Sequence, residues 1–257
     1  MKNELLLLAG SDIPFPEARV TMHQPTLKEI GYIGEKAFFM GCGFLDFSKN
    51  LLNQSDKIRL DNYNDFDILM SIIINSDKAA KNTVESAMLV LSLIFPLYDV
   101  SVRKDKVAII LTKDNEEFEI NKNNFPIFKE NIVNMFNLKT MGSADDYNPQ
   151  GDMAKRVAEK FKKRHEQLSK LKEEINPDKE ISILSRYASI LAVGLQKDLN
   201  QIMQYTVYQL YDEFQRFQLK MQWDAYIQAR MAGAKDLEEV DNWMIDLKEQ
   251  GKNKNKK

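Results

Sequence analysis

Residues 205–232 read YTVYQLYDEFQRFQLKMQWDAYIQARMA, and their spacing decides the fold class. Val207, Leu210, Tyr211, Phe214, Phe217 and Met221 recur three and four residues apart, which puts them on one face of an α-helix. Tyr208, Leu219, Trp223 and Tyr226 fall largely off that face. A helix that is apolar on more than one side is either buried in its own domain or shared with a partner. Asp198 is a suitable N-cap, and Gly233 can take the left-handed conformation that closes a helix. The spacing therefore predicts one long helix over 198–232.

The sequence on either side of this segment is also helical. Residues 181–195 form an apolar helix, and residues 236–250 a short acidic one carrying Trp243 and Met244. Residues 151–174 make a very polar helix whose narrow stripe is Met153, Val157, Phe161, Leu168 and Leu171, with Pro177 ending that segment. Between 139 and 150 the chain is rich in Gly, Ser, Asp and Asn and contains Asn148-Pro149, the composition of a linker. Residues 251–257 read as a solvated, disordered tail.

The first 138 residues are mixed. Leu5–Ala9 is too short for the apolar core of a signal peptide and reads as a buried strand. Thr26 followed by Glu29 is a capping box that starts a helix carrying Leu27, Ile30 and Ile33, with Gly41 and Gly43 ending it. Asn64, with Asp65 and Asp67 in the first turn, starts another that runs from Phe66 to Ile74. Ser76 or Asp77 then caps a helix bearing Val84, Met88, Leu91 and Phe95. After it the apolar period changes to two: Val100 and Val102, then Val107, Ile109 and Leu111, then Phe118 and Ile120. With turns at Lys104-Asp105 and Asp114-Asn115, this is a three-stranded meander near 98–121. Asn124 and Pro126 open a further helix that reaches Phe136. The expected fold is mainly α with a small antiparallel β-meander. A mixed α+β domain over 1–138 is joined by 139–150 to an all-α domain over 151–250.

Composition narrows the function. The chain has 257 residues, 44% hydrophobic and 29% charged, the balance of an ordinary globular protein. A formal net charge of -2 gives no global electrostatic case for nucleic acid. One local run does: residues 153–172 hold eight Lys or Arg against Glu159 and Glu166, but Phe161 is its one aromatic, so base stacking is poorly served. A single cysteine, Cys42, and two distant histidines, His23 and His165, leave no metal or disulfide pattern. Gly41-Cys42-Gly43 lacks the third glycine of a dinucleotide fingerprint and the Lys-Ser/Thr of a P-loop, and reads as a helix-ending turn. Cys42 itself reads as a small apolar residue. The pairs Asp145-Asp146 and Asp212-Glu213 point about 100° apart on a helix and converge on no third group. The apolar run 87–97 is far short of a membrane span. No nucleophile, base, metal or cofactor set is visible, and the expectation is a binding or assembly protein rather than an enzyme. Its expected partner-binding residues are Tyr208 and Trp223, which lie off the main apolar face, with Trp243 of the 236–250 helix as a further candidate.

Three strings also carry a family resemblance: TMHQPTLKEIGYIGEKAFF at 21–39, DYNPQGDMAKRVAEKFKKR at 146–164 and the segment 205–250. In that order they resemble the tail assembly chaperone or baseplate hub assembly proteins of tailed bacteriophages of Gram-positive hosts. The resemblance implies a morphogenetic role in the host cytoplasm, with no cofactor. Its implied partners are phage tail proteins, foremost the helical tape-measure protein, which such a chaperone would hold soluble during assembly; self-association and presence in the virion stay open. A structural baseplate or tail component is the alternative within the same biology. A nucleic-acid-binding protein using 153–172 is the more distant one.

Overall fold

Helices make most of the structure, a computed structural model describing residues 3–48, 62–75, 81–138, 182–234, 237, 240 and 242–244. The expected linker at 139–150, the basic helix at 151–174, the caps Ser76 and Asp77, and the tail at 251–257 lie outside the described residues. In chain order the elements are α1 (Glu4–Ala9), β1 (Ile13–Phe15), β2 (Val20–Met22), α2 (Leu27–Ile33), α3 (Glu35–Leu45), α4 (Asp65–Ile74) and α5 (Lys81–Ile94). Then come β3 (Asp99–Arg103), β4 (Ala108–Lys113), β5 (Glu116–Ile120), α6 (Phe125–Met135), α7 (Ile183–Leu195), α8 (Leu199–Ile202) and α9 (Val207–Met231). The fold is mainly α, with a mixed N-terminal part and a helical C-terminal part.

The meander forms as its period-two pattern requires. β3, β4 and β5 pair antiparallel in sequence order, with Val102 opposite Ile109 and Leu111 opposite Phe118. Asp114 and Asn115 both take positive φ, 51° and 65°, the geometry of the tight turn whose twist matches a hairpin. Val107 does not extend the middle strand; it sits in the preceding turn at φ 47° and is exposed. A second, two-stranded sheet pairs β1 with β2, placing Ile13 opposite Met22 and Phe15 opposite Val20, all four buried.

The core is dominated by phenylalanine. Phe15, Phe38, Phe66, Phe95, Phe125, Phe128 and Phe136 are fully enclosed. Phe95 stacks on Phe128 at 6.1 Å, while Phe38 meets Phe136 edge-on at 4.9 Å. The same apolar cluster continues through Leu184, Ala188, Leu191, Val207, Leu210, Tyr211 and Phe214, so residues from both sides of the 139–150 segment share it.

Several sequence expectations need correction. Leu5–Ala9 is not a strand but the short helix α1, closed by Gly10 at φ 65°, whose N–H donates back to the Leu7 carbonyl. One leucine, Leu7, is buried there, and Leu5 points to solvent. A strand in the sheet would have buried alternate residues, but a helix this short needs a single anchor. The helix begun at Thr26 ends at Gly34, and Gly41-Cys42-Gly43 lies inside α3 rather than in a turn. Gly41 is there because α3 and α5 pack too closely for a side chain: a Cβ would sit 2.4 Å from the Ser86 carbonyl oxygen. Beside it Met40 Sδ accepts the hydroxyls of Thr83 and Ser86 at 3.6 and 3.7 Å. Cys42 is buried as expected, and burial and the Asp46 carboxylate push its thiol up, away from the reactive thiolate. The long helix expected over 198–232 is broken: Asp198 caps only α8, and α9 starts afresh at Thr206. Leu237, Val240 and Asn242 are not helical and Trp243-Met244 form a turn, so the helix expected over 236–250 is absent at its described residues.

The two glycines of α3 separate packing from propensity. Gly41→Ala should destabilise by about 1–3 kcal/mol, since a backbone carbonyl must yield. Gly43→Ala, with nothing within 4 Å of its added Cβ, should stabilise by about 0.5–1 kcal/mol through helix propensity alone. Urea midpoints of the two variants check this, and equal effects would refute the close-contact account.

Candidate interaction surface

The aromatic helix α9 is positioned by its start. Thr206 Oγ1 accepts the N–H of Gln209 at 3.3 Å, and the Gln209 side-chain Oε1 accepts the Thr206 N–H at 2.9 Å, a reciprocal capping box. A second box stands opposite at α2, where Thr26 accepts Glu29 N–H and Glu29 Oε2 accepts Thr26 N–H at 2.7 Å. Thr26 and Thr206 face each other as an isolated antiparallel bridge. The next two N–H groups of α2 donate across it: Leu27 to the Tyr205 carbonyl at 2.8 Å and Lys28 to the Met203 carbonyl at 2.9 Å. Gln209 reaches further and donates Nε2–H to the Leu8 carbonyl at the end of α1, at 2.9 Å. Gln24, fully buried, donates to the Leu6 and Ser11 carbonyls at 2.9 and 2.6 Å. His23 lies between Asp12 at 3.0 Å and Glu29 at 3.4 Å. Burial pushes the Glu29 carboxyl up, but the Thr26 N–H, the Thr26 hydroxyl and His23 outweigh it and hold it below its ordinary value.

A similar device holds α7. Ser182 caps it locally by accepting the Ser185 N–H, and Glu35 at the start of α3 adds a cap from far away in sequence. Glu35 Oε1 accepts the N–H of Ile183 at 2.6 Å and of Leu184 at 3.2 Å, and the Ser182 hydroxyl donates to Oε2. At its other end Lys197 donates to Glu213 on α9 at 2.8 Å and to the Tyr205 hydroxyl at 2.6 Å. Those two bonds hold the Lys197 ammonium above its ordinary value. Tyr187 stacks on Phe214 with ring centres 3.9 Å apart, and Gly194 has no Cβ because the Phe217 ring occupies that place.

Along its length α9 changes character. Val207, Leu210, Tyr211 and Phe214 are buried in the core, as the main apolar face requires. Phe217 is half-buried, one turn further Met221 is 55% exposed, and Met231 is 83% exposed. A helix of 25 residues is about 37 Å long, and the core covers its first half. Off the main face, Leu219 is buried while Trp223 and Tyr226 are half-buried, their rings tilted 5.9 Å apart. Arg230 lies over the Tyr226 ring and donates to its hydroxyl. Lys220 pairs with Asp224 and Arg216 with Asp212, each one turn apart.

The expected partner residues are therefore not equivalent. Tyr208 is in the first turn of α9, half-buried and packed against the core. Trp223 lies 15 residues on, about 22 Å along the axis, in the half that outruns the core. Trp243 is half-buried in a turn beyond the helix. The structure does not bring Tyr208 and Trp223 into one cluster. Sequence reasoning missed the Thr206–Gln209 box, although the Thr-x-x-Gln signal is present. It also missed Glu35 and Gly194, whose roles exist only once α3, α7 and α9 are packed.

Among the described residues no three His, Cys, Asp or Glu side chains are grouped to hold a metal ion, and no helix is long and apolar enough to cross a membrane. Residues 176–248 match the family described as the YomV second domain, a phage-type domain. The match takes in α7, α8, α9 and Trp243, and leaves α1 to α6 outside it. No curated protein and no solved structure gives a significant match to the chain.

Two predictions follow the geometry. Because the Glu29 carboxyl is held below its ordinary value of 4.5, its stabilising contribution is complete above that pH and is lost as pH falls below it. Glu29→Gln should therefore melt earlier than wild type at neutral pH, with the gap closing in acid; a gap independent of pH contradicts the charged capping box. On α9, Phe214→Ala should cost about 3–5 kcal/mol and Trp223→Ala at most about 1 kcal/mol, read as melting temperatures. If Trp223→Ala melts as early as Phe214→Ala, the far half of α9 belongs to the core.

Proposed function

We propose that the chain is a non-enzymatic phage tail morphogenesis factor, a tail assembly chaperone that works in the host cytoplasm and holds the helical tape-measure protein soluble. The observation that carries this reading is the far half of α9, where methionine and aromatic side chains outrun the core. Aromatics and Met are residue types enriched where protein surfaces meet, and unbranched methionine adapts to varied apolar partners. The charges flanking this half are paired within the helix, so they compete little with an apolar contact. A helical partner with a stripe of apolar residues suits such a surface through helix-in-groove docking. Trp223 is the proposed anchor, with Trp243 contributing from beyond the helix; Tyr208, packed on the core at the first turn, lies outside this contact. The phage-type domain matched over 176–248 supports the same biology.

The test is co-expression with the tape-measure protein of the same tail gene cluster, followed by pull-down. Wild-type chain should keep the partner in the soluble fraction. Trp223→Ala, folded by its melting curve, should weaken capture by about 2 kcal/mol, about thirtyfold in affinity. Undiminished capture by Trp223→Ala would remove α9 from the contact. Fixed copy number in purified virions would favour a structural tail component instead.

A further inference from the structure

We draw no further inference here: the strongest candidate, the outward apolar stripe of α7 formed by Ile183, Ile190 and Val193, is an unpartnered helix face, and nothing in the structure shows what covers it.

Discussion

The antiparallel bridge between Thr26 and Thr206 is the constraint on which the placement of the C-terminal helices depends. Every helix start leaves N–H groups without partners inside the helix. At α2 these groups serve two purposes: the capping box satisfies one, and the carbonyls of Met203 and Tyr205 accept two more. The chain before α9 thus cannot continue as helix, because the carbonyls that would propagate it are turned toward α2. Gln209 extends the same joint to α1 through Leu8. Two helix starts 180 residues apart in sequence are thereby fixed against each other by directional bonds. The apolar cluster then fills in beneath them.

Once its start is fixed, α9 has one available course. Its first half lies against α7 and the core through Tyr211 and Phe214, and its second half runs beyond them. A helix leaving its core needs other support, and here intrahelical pairs supply part of it. Lys220–Asp224 and Arg216–Asp212 are each worth a few tenths of a kcal/mol. The Trp223–Tyr226 contact and the bond from Arg230 add to them. This leaves Met221 and Met231 in water, a cost in free energy that a partner helix would offset. The proposed partner contact rests on this property: a surface stable enough to persist alone, and more favourable when covered.

Much of this was legible from residue spacing, because period and capping are local properties. The meander follows from alternating Val, Ile and Leu with Asp114-Asn115 at the turn, and the starts at Thr26 and Asn64 follow from side chains that accept N–H groups three residues on. Other features depended on packing between distant segments. Gly41 looks like a helix breaker, yet it sits within a helix at a close contact with Ser86, and nothing in the spacing marks Gly194 as the place where the Phe217 ring packs. Glu35 looks like an ordinary first-turn acid of α3, and its bonds to α7 cross nearly 150 positions. Leu5–Ala9 was ambiguous because a short apolar run does not distinguish strand from helix. For the interaction surface, spacing identified the second side of α9, but it could not show that Tyr208 would pack on the core while Trp223 lies beyond it.

The central claim is that the far half of α9 is the surface a partner covers. Hydrogen–deuterium exchange on the full chain, alone and bound to the tape-measure protein, tests it most directly. The account predicts added protection over 217–231, with 207–214 already slow and little changed. Protection gained elsewhere while 217–231 exchanges as in the free chain would contradict it.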